Sequence, residues 1–524
     1  HAECLPSSQS GQYICDVSPL VLPLLSLSLS TLNMSIVLVA LISASIIYAL
    51  LKFYRFTAKF PPGPFPLPFL GNLHQVDFGP RQFSLFAKKF SGLYTVFVPI
   101  PMLEITDYAL IKEAFIDHGE DYVERNQLPV LDDILTYCKN GGVINSSGDN
   151  WREQRRAALS ILRDFGMGRN VMEEKVQRSI EQYLCNLRAQ EGKASINMRW
   201  PIQIMVANII NEVLFGYLYT VDDCDGLVKF VEQFDDLLQG IASSALLPLA
   251  TVFPFIRRIP ILGYYAVQKH ADKMRKVYQY VIDNMDRAMK TYDPEAEPTN
   301  FVHAYTQRMS GNSYLDRDNL IQTCTDFFSA GQETTSTTLR WAMLFLAENQ
   351  PQQDRLREEI HRVIGKERLP AMTDKHNMLY TQATLHEIQR LANILRYNVF
   401  RKTHKSTELA GHTIPENMSI HADIHYVMWN DRHFVNPKEY RPERYISEDG
   451  ASLRKDLVDR TIPFSIGKRS CAGEGLARVE LFLALTATIQ HYRILPVPGH
   501  TIDLTQQPLF IGGPIDQELR VVPV

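Results

Sequence analysis

Between Val17 and Leu51 the chain carries no charged residue, and Met34–Leu51 reads MSIVLVALISASIIYALL. A run this long and apolar reaches across most of a bilayer as a helix, whose backbone polar groups are satisfied internally. Lys52, Arg55 and Lys59 follow it at once. Basic flanks stay on the cytoplasmic side, so everything after the anchor is expected to face the cytosol. The competing reading is a cleaved signal peptide, but no small-residue cleavage site precedes the basic flank. Met34 stands at the start of the apolar run, which makes residues 1–33 an expected upstream extension and 34–54 the transmembrane anchor. Residues 55–69 then form a basic and proline-rich linker. Its Phe60-Pro61-Pro62-Gly63-Pro64, with Pro66 and Pro68, excludes helix and predicts a stiff extended strut.

The remainder, residues 70–524, contains no repeat and no long Gly/Ser linker, and reads as one large domain. Hydrophobic residues at 45% and charged residues at 21% suit a packed core and rule out disorder over most of the length. Lys+Arg of 54 against Asp+Glu of 58 gives a net charge of −4, without the basic surplus of a nucleic-acid binder. The cysteines are scattered and form no CxxC pair, which argues against a disulfide scaffold and against structural zinc. Helical spacing or continuous apolar character covers Arg156–Leu187, Leu227–Gln239, Tyr265–Met289, Leu320–Asn349, Gln352–Ile364 and Leu476–His491. Tyr94–Phe97, Leu103–Thr106 and Leu519–Val522 read as short strands. The expected fold is therefore mainly α with a small β portion. Leu246–Leu262, apolar and broken by prolines, is either a core loop or a second contact with the membrane surface.

Chemistry concentrates in Phe464-Ser465-Ile466-Gly467-Lys468-Arg469-Ser470-Cys471-Ala472-Gly473-Glu474. A cysteine just before an apolar helix meets that helix's free N–H groups, which favour a thiolate. Gly467 and Gly473 are expected to let the backbone approach a flat ligand. A lone cysteine is most often a small buried hydrophobe, but here the pattern Phe-x-x-Gly-x-Arg-x-Cys-x-Gly resembles the haem-binding loop of the cytochrome P-450 family. Other segments match that family too. Ala330-Gly331-Gln332-Glu333-Thr334-Thr335 resembles its central-helix motif, Glu387-Ile388-Gln389-Arg390 its Glu-x-x-Arg, and Pro442-Glu443-Arg444-Tyr445 the segment whose arginine joins that pair. Trp151 and Arg155 match its Trp-x-x-x-Arg helix. A glycine in mid-helix costs about 1 kcal/mol relative to alanine, and ligand room beside Gly331 is the expected reason. The rival zinc-protease reading of His386-Glu387 needs a histidine at position 390, which is Arg390. His421 and His425 are taken as ordinary polar or packing residues.

The resemblance covers nearly all of Phe60–Val524, and the wording is closest to the microsomal, animal, drug- and lipid-metabolising family-two type. It departs from that type in having residues before Met34, in Tyr445 where phenylalanine is commoner, and in Arg401 where a haem-contacting histidine is common. What the resemblance implies is a haem b whose iron takes Cys471 as axial ligand, in contact with Phe464 and Gly473. Trp151, Arg155, Arg401 and Arg469 would neutralise its propionates, Glu333 and Thr334 would deliver protons, and Glu387, Arg390 and Arg444 would form a structural network. It also implies electrons from NADPH through a flavoprotein reductase, cytochrome b5 as a further electron partner, an endoplasmic-reticulum membrane setting and a small apolar substrate. Arg152 and Arg156, on a neighbouring face of the Trp151 helix, would offer a docking patch to an acidic reductase surface. A lipid-peroxide isomerase or dehydratase needing no reductase, and a silent haem sensor, are the alternatives; Glu333-Thr334 argues against both. Phe327, Phe328, Phe400 and Phe510 are candidates to line the pocket or simply to fill core, with further lining expected from 123–137, 214–262, 394–399 and 508–513.

Overall fold

The computed structural model describes residues 21–524 except 76–79, 91, 99, 127–128, 167–169, 221–222, 431 and 508–509. Of the expected extension, 1–20 lie outside the described residues, as does Pro508 of the expected pocket lining. The chain divides into two units, residues 1–60 and 61–524. In the first, a single helix runs Val21–Thr57, longer at both ends than the sequence indicates. Its Ile36–Thr57 part has the length and apolarity to cross a membrane. At 1.5 Å per residue this is about 33 Å, slightly more than the hydrocarbon core. Large apolar side chains from Ile36 to Leu51 all point outward, which suits lipid rather than a protein core.

The second unit is mainly helical with small sheets at its margin. A five-stranded sheet has the order Leu93–Phe97, Pro101–Ile105, Ser419–Ala422, Arg401–Lys402, Glu124–Arg125. Only the pairing of Pro101–Ile105 with Ser419–Ala422 is parallel. The proline segment is no free strut. Asn72 Nδ2 donates to Pro64 O at 3.1 Å while Asn72 Oδ1 accepts from Phe97 N at 2.8 Å, pinning the segment to the first strand. Gly63 lies so close to Thr95 O that a Cβ would not fit.

The central helix, Arg317–Glu348, starts where Asp316 accepts a capping bond from Asn319 N at 2.7 Å. It packs most extensively on Arg199–Phe215, a helix buried on every side. The sequence reading missed that second helix because a helix apolar all round carries no stripe. It also ran Arg156–Leu187 together. The structure has two helices there, Gly148–Asp164 and Asn170–Arg188, and Gly166 between them takes a φ of 86°. Leu246–Leu262 forms short helical turns that bury Leu247, Ala250 and Ile256 in the core and expose Leu249, Phe253, Phe255, Ile259 and Ile261.

Behind the central helix, Leu379–Ala392 carries a buried ionic knot. Arg390 donates to both carboxylate oxygens of Glu387, at 2.8 and 2.9 Å, and Arg444 donates to Oε1 at 3.0 Å. Arg441 N adds a bond at 2.9 Å. The arginines' other donors reach backbone carbonyls of Met428, Val435, Asn436 and Glu439, so the knot ties the loop 428–445 to the helix core. Tyr445 is fully buried, and its hydroxyl meets Thr461 Oγ1 at 2.6 Å, which satisfies the one polar atom a phenylalanine would lack.

Candidate active site

The segment 463–473 enters the molecule's interior ahead of the helix Glu474–His491. Cys471 N donates to Phe464 O at 2.9 Å and Ser470 N to Gly467 O at 2.9 Å, which closes the loop on itself. Gly467, at φ 79°, leaves no space for a Cβ beside Phe115 O. Its role is backbone-to-backbone approach rather than ligand clearance. Gly473, by contrast, has only Cys471 Sγ near a notional Cβ, at 4.0 Å.

Cys471, Phe464 and Gly473 open onto a cavity lined mainly by apolar groups. The opposite wall is the central helix, through Phe327, Ala330, Gly331 and Thr334. Burial raises the Cys471 pKa, while N–H groups of Gly473 and Glu474 and the charge of Arg155 work the other way. The N–H groups thus act in the direction the sequence leads one to expect, against a larger opposing effect of burial.

Four guanidiniums surround one end of the cavity: Arg125, Arg155, Arg401 and Arg469. Arg125 bonds Ile144 O and Val399 O at 2.7 and 2.8 Å; Arg155 bonds Ser470 O at 2.8 Å. Arg401 reaches Ile466 O at 3.1 Å, and Arg469 reaches Val123 O and Ser146 O at 2.7 and 2.6 Å. Among the described residues, none of the four pairs with a carboxylate. Burial, reinforced by repulsion among these cations, pushes Arg469 down to about 7 and Arg125 to about 10. Trp151 lies under Arg469, whose guanidinium sits 3.7 Å from the ring, and it does not line the cavity itself. Trp151 Nε1, Arg401 Nε and Arg469 Nη1 are buried donors without protein partners. Buried charge of one sign with orphaned donors calls for a bound anion. The two carboxylates of a haem fit that demand, with the Cys471 thiol facing the same space.

Arg125 escaped the sequence reading, because nothing in the polar stretch Glu120–Gln127 marks it apart from its neighbours. Two carboxyls on the wall were missed as well. Asp326 accepts from Val143 N and Ile144 N at 2.8 and 3.0 Å, fastening that loop to the central helix, and burial raises it to about 6. Glu480 is raised to about 8 by burial, partly offset by a bond from Thr335.

Thr334 lines the cavity, and its hydroxyl donates to Ala330 O at 2.9 Å. Glu333 points elsewhere: Oε1 accepts from Thr337 Oγ1 at 3.1 Å, and Oε2 faces Gln203 Nε2 at 3.5 Å. Burial, with help from Asp235, raises Glu333 to about 7. Gly331 serves packing more than ligand room, since a Cβ there would meet Ile210 of the neighbouring helix at 3.3 Å. Of the four phenylalanines considered, Phe327 lines the cavity. Phe328 is fully buried among Phe215, Phe230 and Tyr280, Phe400 stacks on His421, and Phe510 is exposed. On the outer face, Arg152 pairs with Asp149 at 2.8 Å and Glu120 at 3.7 Å, Arg156 with Glu153, and Lys468 with Glu120. The expected basic patch therefore carries its own counter-charges. Of the paired histidines, His425 bonds Asn393 at 3.0 Å and His421 bonds Glu104, and no group of three or more metal-ligating side chains occurs among the described residues.

Comparison with known proteins agrees with this geometry. The cytochrome P450 family pattern matches residues 61–516. Cytochrome P450 2J2 of Homo sapiens is 34% identical, with 89% of this chain and 91% of that protein aligned. Cytochrome P450 2B4 of Oryctolagus cuniculus is 33% identical over 87% and 92% respectively. Cytochrome P450 2C3 of the same organism is 31% identical over 94% of this chain and all of its own length. The chain therefore belongs to the cytochrome P450 family of haem-thiolate monooxygenases.

Proposed function

We propose that this protein is a membrane-anchored, NADPH- and O2-dependent monooxygenase that inserts one oxygen atom into a small apolar substrate of the xenobiotic, fatty-acid or steroid class. The observation that carries this reading is the Cys471 thiol facing a cavity also lined by four guanidiniums that, among the described residues, pair with no carboxylate. When bound, the haem supplies oxygen activation, favoured by electron donation from a thiolate ligand. Cys471 holds the iron. Arg125, Arg155, Arg401 and Arg469 would hold the propionates, by the charge-assisted bonds that guanidinium and carboxylate form best, with Trp151 stacked against Arg469. Phe327, Ala330, Ile394 and Val399 present an apolar wall to the substrate and exclude water.

Thr334 offers its hydroxyl at the cavity surface. Glu333 is one residue away, and so about 100° around the helix; it acts as a proton reservoir behind Thr334. With its pKa raised to about 7, it both holds and releases a proton near neutral pH. The electrons come through an NADPH-dependent flavoprotein reductase, with cytochrome b5 as a further partner, at the endoplasmic reticulum membrane. The exposed apolar turns of 249–261 give the catalytic unit a patch suited to a lipid surface.

The test is reconstitution of the full chain with haem, reductase and phospholipid, followed by a screen of fatty acids, steroids and foreign compounds for haem spin shifts. With a spin-shifting compound, NADPH and labelled O2, one labelled oxygen atom should enter the product. Rearrangement of a lipid hydroperoxide without NADPH would establish the isomerase alternative instead.

A further inference from the structure

A buried Glu–His pair lies outside the haem cavity, in the five-stranded sheet. Tyr94, Glu104 and His421 are direct cross-strand neighbours on three adjacent strands. Glu104 is fully buried and His421 nearly so, and His421 Nδ1 lies 3.0 Å from Glu104 Oε1. Among the described residues, Glu104 Oε2 and His421 Nε2 have no hydrogen-bond partner. A buried pair left half satisfied is less stable than a packed apolar pair of similar size. Stability is therefore a poor explanation for its presence.

The imidazole orientation gives a better one. Tyr397 stacks on the His421 ring at 5.0 Å between centroids and 3° between planes, and Phe400 stacks at 4.1 Å and 19°. The single bond to Glu104 fixes the rotation of this ring. Tyr397 lines the cavity, as do Asn398 and Val399 between the two aromatic residues. The backbone there is held by separate contacts: Asn398 Oδ1 accepts from Ala422 N at 2.5 Å, and Val399 O accepts from Arg125 at 2.8 Å. What the histidine adds is the orientation of the two aromatic side chains.

We propose that Glu104 and His421 are positioning residues for substrate selection: by holding the imidazole against Tyr397, which lines the cavity, and Phe400, which packs behind it, the pair sets how far the cavity extends along this wall. The proposal rests on the reading of the cavity as the haem and substrate site. Loss of the clamp gives the wall rotamer freedom, which penalises ligands long enough to touch it and spares those that are not.

The probes are imidazole and n-alkylimidazoles of increasing chain length, which share one anchor on the haem iron and differ only in reach. Their dissociation constants come from the difference spectrum of the holoprotein, with thermal melting measured alongside. Glu104→Leu and His421→Leu, made singly, should each melt lower than the parent, because each strands a buried polar partner. The double variant should recover the parent's melting temperature. It should bind imidazole as the parent does, yet differ by about threefold to tenfold for the longer homologues, the scale expected when one large side chain is ordered or released. Glu104→Gln, which keeps the acceptor for Nδ1–H, should restore the parent's chain-length profile. Should the double variant fail to fold, Phe400→Leu removes one stacking face without touching the buried pair and carries the same expectation. A double variant, or Phe400→Leu in its place, that matches the parent at every chain length overturns the proposal. So does a change of equal size for imidazole itself, or a Glu104→Gln that behaves like the double variant. Absence of any difference spectrum in the parent would instead sink the haem assignment, and this proposal with it.

Discussion

Replacing Glu333 by glutamine should make the protein more stable and a poorer catalyst, and the stability gain should depend on pH in a defined way. Burial raises the folded-state pKa from 4.5 to about 7. Below pH 4.5 the carboxyl is protonated in both folded and unfolded chains and contributes no pH-dependent difference. Between 4.5 and 7 the unfolded chain releases the proton while the folded one retains it, so stability falls as pH rises. At 1.36 kcal/mol per unit, the 2.5-unit difference amounts to about 3 kcal/mol lost by pH 8. Glutamine cannot ionise, and its amide can still accept from Thr337. Urea unfolding of parent and Glu333→Gln at pH 5 and pH 8 should show similar midpoints at pH 5 and a gain of about 3 kcal/mol for the variant at pH 8. In the same preparation, product formed per NADPH should drop. An equal parent–variant difference at both pH values would refute the raised pKa. A pH-dependent gain with unchanged coupling would leave the pKa standing and remove Glu333 from proton delivery.

Thr334→Ala should keep haem and substrate binding but divert NADPH toward hydrogen peroxide, read as the peroxide-to-product ratio; an unchanged ratio would show that the hydroxyl serves only its bond to Ala330 O. Glu387→Ala strands Arg390 and Arg444 in the interior and should cost about 3–5 kcal/mol in unfolding free energy, enough to abolish a folded holoprotein at 37 °C. Arg401→Leu should weaken haem retention, measured as transfer to apomyoglobin, while circular dichroism of the apoprotein stays as in the parent. Arg152→Glu with Arg156→Glu should lower reductase-supported turnover only slightly and leave its salt dependence nearly unchanged, since both arginines already pair with acids of the same surface.

Features with a strong local rule were readable from the chain. The apolar N-terminal helix followed from an uncharged run, and the helices Asp225–Ser243, Lys269–Met289, Arg317–Glu348 and Gln350–Val363 from their periodicity or apolar continuity. Of the residues singled out by type, Cys471 before its helix and Thr334 line the cavity, Glu333 beside Thr334 does not, and Glu387 and Arg390, three apart, meet in the ionic knot. What stayed hidden depends on tertiary approach. Nothing in Arg199–Phe215 marks a face, because all of its faces are covered. The reason for Gly331 lies in Ile210, far away in sequence, and the reason for Gly467 in the backbone at Phe115. Arg125 becomes a site residue only when two short strands meet, Arg125 pairing with Arg401 across the sheet. Side-chain direction was likewise beyond reach: Phe327 and Phe328 are adjacent, yet one meets the cavity and the other a cluster of aromatic rings.

The most direct test of the central claim is the spectrum of the dithionite-reduced, carbon-monoxide-bound protein, recorded for the parent and for Cys471→Ser. Thiolate ligation by Cys471 predicts the long-wavelength Soret band characteristic of this family in the parent and its loss in the variant, with secondary structure intact in both. A fully folded parent showing only the shorter-wavelength band of a haem without thiolate, or a Cys471→Ser protein that keeps the long-wavelength band, would contradict the assignment.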